Sequence, residues 1–401
     1  MTPIDEHDGP GTRRLADVGA AVIGTGFIGT VHVEQLRRIG VQVRGILEIT
    51  PEHGEAKAKA LGVARAYPSL EAILADPSVD IVHVTSPNHL HVEQARQILS
   101  AGKHVICEKP LAMTSADSAG LVALAAETGL VNAVNFNIRF YPLHQHVREL
   151  IADGGLGDPR FVTGHYLQDW LLYDTDWSWR LDTSKNGSLR AVADIGMHWL
   201  DLTTFLVGQP VVAVMADMTN FISTRFEPKG AVEAFSTVRS TDTVERKITT
   251  EDVASIMLRF ANGARGSVVL SQISAGRKNS LQWEIDGSVA AAAWDSETPD
   301  HLWLGHRDQA NEVLMRNPGL MKPAGRLAAA LPAGHVEGFG DTFGAAFRAV
   351  YADVVAGRPA ERPPYATFAD GHYEMLLGEA VAESSRLGRW VDVPGQPKAP
   401  R

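Results

Sequence analysis

From Val18 to about Phe140, short apolar runs alternate with polar stretches whose apolar residues recur at helical spacing. "GAAVIG" at 19–24 and "VQVRGILE" at 41–48 have the character of strands, with a helical stretch ending at Gly40 between them. Thr50-Pro51 predicts an N-cap and a first-turn proline for a helix over "PEHGEAKAKALG", which Gly62 stops. "VDIVHVTSP" and "KHVICEKP" are two further strands, separated by a helix over 91–102. Strands that are apolar throughout and alternate with helices belong to a parallel sheet covered on both faces.

Beyond about residue 141 the texture changes. "VVAVMADM", the long run from Asp252 to Ala275, "LQWEIDG" and "VAAAAW" predict strands, with a hairpin turn at Asn262-Gly263. One helix is expected near 190–207 and two more close the chain, over 338–357 and 368–388. Residues 307–335, rich in Gly, Pro and Ala, are expected to be a long loop. Few crossovers between strands point to an antiparallel or mixed sheet in a second domain. The fold class is therefore α/β: a doubly wound parallel sheet, then an α/β domain with its own sheet. The expected boundaries are a disordered tail at 1–16, a first domain at 17–140 and a second at 141–401.

Composition narrows the partners. The 401 residues are 45% apolar and 21% charged with a net charge of −10, which argues against nucleic acid or an anionic membrane as a partner. One cysteine, Cys107, excludes an intrachain disulfide framework and fits a reducing compartment. The first residues have no apolar core of the kind a signal peptide needs, and no run approaches the ~20 apolar residues that span a bilayer. The expected location is the cytoplasm.

"GTGFIG" places Gly24, Gly26 and Gly29 in a G-x-G-x-x-G pattern. Alone it is weak, because a chain with 37 glycines produces it by accident. Here it follows the first strand and opens a helix, the context a dinucleotide fingerprint requires. Gly24 permits the turn, Gly26 the approach of a pyrophosphate, and Gly29 close helix–strand packing, with Phe27 and Ile28 completing the loop. The helix N-terminus presents unpaired N–H groups to the phosphates. Glu48 ends the second strand, where a carboxylate takes ribose hydroxyls and repels a 2′-phosphate. The cofactor expected is NAD rather than NADP.

Lys109 follows the fourth strand, in "CEKPLAMTSAD", with Thr114 expected to cap the next helix. Spacing alone reads equally well as a solvated loop or as a charged group at the ligand edge of the sheet. Asp194 and His198 are four apart, so a helix would place them on one face. That spacing is common by chance and gains meaning from its companions. "GHYLQDWLLYDTDWSWRLD" at 164–182 gathers Tyr166, Gln168, Asp169, Trp170, Trp177, Trp179 and Arg180. Aromatic faces beside amide and carboxylate groups suit a polyhydroxylated ring, although tryptophans also serve as core or subunit interface. Lys185, Arg190 and His335 are candidates for holding an anionic substituent. No convincing ligand set surrounds Asp194 and His198, so no metal is expected.

With these segments in place the sequence resembles the glucose–fructose oxidoreductase/inositol dehydrogenase/rhizopine-catabolism (Gfo/Idh/MocA) family. The carriers are G-T-G-F-I-G with His32 shortly after, S-P-N-H-L-H at 86–91, A-G-K-H-V-I-C-E-K-P at 101–110, N-F-N-I-R-F at 135–140 and D-I-G-M-H at 194–198. The resemblance implies a Rossmann domain followed by an α/β domain with a large open, mostly antiparallel sheet that packs against another subunit, as a homodimer or homotetramer. It implies hydride transfer between a nicotinamide and a secondary alcohol carbon of a sugar, cyclitol or glycoside. Lys109, Asp194 and His198 match the catalytic positions. Thr85, Pro87, Asn88, His91 and Glu108 match positions beside the cofactor, Arg139 a substrate contact of inositol-type members, and a cis bond before Pro110 is expected.

Oxidising CH–OH requires a proton acceptor as hydride leaves. A histidine suits that role, which favours His198 as base, with Lys109 stabilising negative charge on the oxygen. Lys109 beside oxidised nicotinamide is the other candidate base. Two further functions compete with a dehydrogenase. One is an NAD-dependent glycosidase that oxidises the sugar transiently, eliminates the aglycone, adds water and reduces again. The other is a non-enzymatic NAD and sugar sensor, which the intact Lys109, Asp194 and His198 set disfavours.

Overall fold

The computed structural model describes residues 13–230 and 242–398. Most of the expected tail, residues 1–12, lies outside them. Its last residues are not loose: Arg13 pairs with Asp80 at 2.5 Å, and Leu15–Asp17 forms a single 3-10 turn. The chain divides into two compact units, Met1–Phe140 with Glu337–His372, and Tyr141–Val336 with Tyr373–Arg401.

The first unit is built on five parallel strands, β1 (Gly19–Ile23), β2 (Gln42–Leu47), β3 (Ile81–Val84), β4 (His104–Cys107) and β5 (Asn132–Val134), in the order β2-β1-β3-β4-β5. Every residue of β1 and β3 is buried, as strands covered on both faces require. The covering helices here are α1 (Phe27–Arg38), α2 (Pro51–Leu61), α3 (Leu70–Leu74), α4 (His91–Ser100) and α5 (Ser115–Thr128). Local chemistry sets their ends. The Thr50 hydroxyl accepts from the His53 amide at 3.2 Å, Pro51 opens α2, and Gly62 closes it in the left-handed region at φ 62°. The Thr114 hydroxyl likewise accepts from the Asp117 amide to start α5. The strand order reverses between β1 and β3, so their carboxyl ends open the crevice in which such sheets bind ligands.

The second unit carries α6 (Pro142–Ala152), β6 (Pro159–Leu167), α7 (Thr183–Asn186), α8 (Met197–Val207), β7 (Val211–Thr219), β8 (Thr224–Pro228), β9 (Thr243–Lys247), β10 (Val253–Phe260), β11 (Arg265–Ser271), β12 (Ser280–Gly287), β13 (Ala291–Asp295), β14 (His301–Gly305), β15 (Glu312–Met315), α9 (Pro323–Ala328) and β16 (Val391–Asp392). Nine of these strands form one sheet, ordered β15-β14-β13-β12-β6-β11-β10-β7-β16, and β8 and β9 pair separately. All neighbours in the large sheet are antiparallel except β6 and β11. The β10–β11 hairpin turns at Asn262-Gly263, with Gly263 at φ 91°. One face buries Ala254, Ile256, Leu258 and Phe260 of β10, while Met257 of the same strand, Val269 of β11 and Phe161 of β6 point outward. On the buried face Trp199 of α8 donates its indole N–H to the Gln282 carbonyl at 2.8 Å. A side chain at Gly164 would collide with both groups, which explains a glycine inside β6.

Two helices close the chain, α10 (Phe339–Ala356) and α11 (Phe368–Leu387). Residues 337–372, which chain continuity assigns to the second domain, group with the first unit. There α10 packs on α1 and contributes Phe343, Phe347 and Tyr351 to the core. The expected loop at 307–335 also differs: it contains β15, an edge strand, and α9, opened by Pro323 at its first turn.

Candidate active site

The first unit presents a nucleotide cradle at the β1–α1 turn. Gly24 adopts φ 84°, a conformation that disfavours any side chain, and its amide donates to the Leu47 carbonyl at 2.8 Å. A Cβ on Gly29 would sit 1.9 Å from the Gly24 carbonyl oxygen and 2.6 Å from Thr85 Oγ1. A Cβ on Gly26 would meet nothing within 4 Å. The helix therefore packs hard on the strand at Gly29 and leaves open space at Gly26, at the N-terminus of α1. This is the shape a pyrophosphate needs.

Glu48 leans into this turn. Its Oε1 accepts from the Thr25 amide and, at 2.5 Å, from the Thr25 hydroxyl, while Oε2 lies 3.2 Å from His53 Nδ1. Thr85 ends β3 by donating its hydroxyl to the Ile23 carbonyl at 2.9 Å and to that of Gly24. Thr85 thus supports the glycine turn from behind. Pro87 precedes a 3-10 turn that holds the buried Asn88. His91 is wholly buried, with Nδ1 2.8 Å from the Pro110 carbonyl and Nε2 2.8 Å from the Ser86 carbonyl. Burial pulls its pKa down, against the two carbonyls. His91 is a strut between the loops that carry Ser86 and Pro110.

Glu108 and Lys109 leave the end of β4, and the Lys109–Pro110 bond is cis. Glu108 Oε1 receives Asn135 Nδ2 at 2.5 Å and lies 3.0 Å from His32 Nε2. Its Oε2 accepts from the Lys109 amide at 3.3 Å. Burial pushes the Glu108 carboxyl up, but His32, Asn135 and Lys109 outweigh it and hold the group below its usual range. Arg139 is buried and pairs with Asp370 at 3.3 Å, and Asp370 is fixed by the Thr367 hydroxyl.

In the second unit Asp194 lies in a π-helical turn, Val192–Gly196, that runs into α8, where His198 sits buried. The regular helical face expected for the pair is therefore interrupted by a wider turn, a feature that clusters at functional sites. Asp194 Oδ1 accepts Arg180 Nε at 3.0 Å, and Oδ2 accepts Gln272 Nε2 at 2.8 Å. Arg180 in turn lies over the Trp179 ring at 4.8 Å and the Trp170 ring at 6.0 Å. Behind Gln272, Arg190 Nη1 donates to its Oε1 at 3.1 Å, and Asp252 accepts from both Arg190 and Arg225 with all three groups fully buried. Glu251 caps the π turn through the Arg190 and Val192 amides at 2.8 and 2.9 Å.

The aromatic segment joins this cluster. Asn279 Oδ1 accepts the Tyr166 hydroxyl at 2.8 Å and Gln168 Nε2 at 2.7 Å, and Gln168 Oε1 accepts Trp170 Nε1 at 2.7 Å. Burial, followed by Tyr141 and Asp194, raises the Tyr166 pKa far above its usual value. Tyr166, Gln168, Arg180 and Asp194 are thus brought together through Asn279 and Trp170. Asp169 is not: its carboxylate anchors Lys278 at 2.6 Å and the Gly276 amide at 2.9 Å. His335 lies in an exposed loop whose carbonyl Arg316 holds. Lys185 pairs with Asp182 at 3.1 Å, and Arg190 is committed to Gln272 and Asp252. Gln272, Asn279, Asp252 and Glu251 escaped the sequence reading, since no motif or spacing marks them. Among the described residues no group of His, Cys, Asp and Glu is arranged to hold a metal, and no helix is long and apolar enough to cross a membrane.

Fold and site define an NAD-binding oxidoreductase of two domains, and comparison with known proteins places it. Residues 18–136 match the model of the oxidoreductase family with the NAD-binding Rossmann fold, and residues 144–293 match the GFO/IDH/MocA C-terminal domain. The chain is 31% identical over 393 residues to levoglucosan dehydrogenase of Pseudarthrobacter phenanthrenivorans, covering 95% of this chain and 99% of the relative. A structure of levoglucosan dehydrogenase with NADH and levoglucosan superposes with a TM-score of 0.84 at 29% identity, covering 94% of this chain and 99% of that one. An inositol dehydrogenase homologue from Azotobacter vinelandii, with NADH and myo-inositol, gives 0.79 at 25% identity, covering 95% and 99%. The chain belongs to the Gfo/Idh/MocA family of oxidoreductases.

Proposed function

We propose that this protein is an NAD-dependent dehydrogenase of an uncharged sugar, anhydrosugar or cyclitol. The observation that carries the reading is the second-unit wall. Tyr166, Gln168 and Asn279 offer neutral donors and acceptors, Asp194 is a carboxylate offset by Arg180, and Arg190 and Lys185 are likewise each paired with a carboxylate. Such a wall suits hydroxyl groups better than a phosphate or carboxylate substituent. Near-full-length similarity to a dehydrogenase of levoglucosan supports it.

Bound NAD supplies the acceptor for the hydride of the carbinol C–H. Gly26 and the α1 N-terminus hold the pyrophosphate, Glu48 takes the adenosine ribose hydroxyls, and the same carboxylate disfavours NADP. Lys109 stabilises negative charge on the substrate oxygen, and His198 accepts the hydroxyl proton. Asp194, locked by Arg180 and Gln272, orients the substrate hydroxyl or the imidazole. The outward face of the large sheet, with Phe161, Met257 and Val269 exposed, is the proposed contact of a homodimer or homotetramer, which light scattering reads directly.

The test is to incubate the protein and NAD with levoglucosan, free sugars, inositols, sugar phosphates and aryl glycosides, following absorbance of NADH and release of aglycone. NADH accumulation with neutral polyols, abolished in a cooperatively folded Lys109→Ala protein, is the expected result. Aglycone release that requires NAD but accumulates no NADH would replace the dehydrogenase with a redox-neutral glycosidase.

A further inference from the structure

Three buried side chains line up behind Glu108. The Tyr351 hydroxyl on α10 lies 2.9 Å from His83 Nε2 on β3, and His83 Nδ1 lies 2.8 Å from His32 Nδ1 on α1. His32 Nε2 is 3.0 Å from Glu108 Oε1. Tyr351, His83 and His32 are fully buried, and Phe343 and Phe347 pack edge-on against His32 with centroids 5.5 and 4.8 Å away. A polar line through apolar walls is costly unless each member is satisfied, and its bonds reinforce one another when they are.

The direction of the line follows from its ends. The Glu108 carboxylate is an acceptor only, so His32 Nε2 carries the proton that meets it. Among the described residues the Tyr351 hydroxyl meets no acceptor but His83 Nε2, so its proton points there. The single proton between the two Nδ1 atoms then sits on His83, with His32 Nδ1 accepting it. Burial pulls the His83 pKa well down, in keeping with a ring that carries one proton. Its Nε2 is left to accept from Tyr351, whose proton burial retains. Donation runs from Tyr351 through His83 and His32 to Glu108.

We infer that His32, backed by His83 and Tyr351, is a positioning residue for Lys109: the one-way line pins the Glu108 carboxylate, and Glu108 pins the Lys109 backbone amide. The inference rests on the dehydrogenase reading, in which Lys109 acts on the substrate oxygen. Because α1 begins at the glycine turn, the helix that faces the pyrophosphate also fixes the lysine.

Long-range proton–nitrogen spectra of histidine-labelled protein read the tautomers without substrate. His83 is expected in the Nδ1–H form, the minor tautomer of free histidine, and His32 in the Nε2–H form. His83 found in the Nε2–H form reverses the line and overturns the proposal. In kinetics, His32→Leu is expected to lower kcat about 10²-fold, the scale of a ~1 Å misplacement, with NADH affinity by tryptophan-to-NADH energy transfer nearly unchanged. His32→Gln, which keeps an N–H for Glu108, is expected to recover about tenfold of that loss. Unchanged kcat in a folded His32→Leu protein, or equal losses in both variants, overturns the positioning role. If His32→Leu does not fold, the tautomers of the unaltered protein decide. They also judge the line in a protein that oxidises no sugar, an outcome that counts against the dehydrogenase reading alone.

Discussion

Asp252 is the carboxylate on which the architecture behind Asp194 depends. It is fully buried, accepts from the guanidinium groups of Arg190 and Arg225, and takes the Phe221 and Ile222 amides at 2.7 and 2.9 Å. Replacing it by alanine strands two buried cations with no carboxylate between them. Breaking a buried pair in this way costs about 3–5 kcal/mol. For a unit of this size that lowers the melting temperature by roughly 10 °C. The pH dependence has a definite sign. Burial raises the Asp252 pKa, but Arg190, the Ile222 amide and Arg225 outweigh it, so the folded value lies below the unfolded one. Its stabilisation is present above the unfolded pKa, near ~4, and is lost as pH falls through the folded value. Melting curves from pH 3 to 8 of the wild type and Asp252→Ala should therefore converge at the acid end. A melting shift under about 3 °C at pH 7, or a gap that widens on acidification, would refute this account.

Gly26→Ala should leave unfolding within about 0.5 kcal/mol, because its Cβ enters open space, yet weaken NADH by at least about tenfold in a fluorescence titration. Gly29→Ala should instead cost about 1–3 kcal/mol of stability in urea unfolding, because its Cβ meets backbone. Glu48→Ala should narrow the NAD-over-NADP ratio of kcat/KM by about tenfold, and an unchanged ratio would remove Glu48 from the ribose. Cys107 is buried, and burial followed by Glu108 pushes its thiol pKa well up. Ellman's reagent at pH 8 should modify it only as fast as the protein opens, and labelling of the native protein within seconds would contradict that.

The features legible in the sequence are those written at short, fixed offsets. The glycine turn, the Thr50 and Thr114 caps and the Gly62 stop each involve residues within a few positions of one another, and each was found where expected. The return of α10 to the first unit left no such mark, because its partners His32 and His83 lie more than 250 residues earlier in the chain. The support behind Asp194 was hidden for the same reason: Gln272 and Asp252 reach it across the sheet, 78 residues away in the case of Gln272. Arg180 was recognised as a member of the wall, but not that its charge is spent on Asp194. A π turn has no compositional signature, so Asp194 and His198 looked like an ordinary helical pair. The 307–335 segment misled through composition, since its Pro323 opens a helix that its neighbouring glycines and prolines disguise.

The late arrival of α10 has a consequence for how this protein comes into being. The five strands of the nucleotide-binding sheet are complete by Val134, yet the Phe343, Phe347 and Tyr351 side chains that enclose His32 and His83 are among the last quarter of the chain to be synthesised. During translation the imidazoles meet water until more than two hundred further residues have emerged, and a chain cut after Phe140 never acquires their cover. The first unit is thus first in order of appearance and nearly last in order of completion, so a stalled ribosome yields a cofactor domain with an open seam.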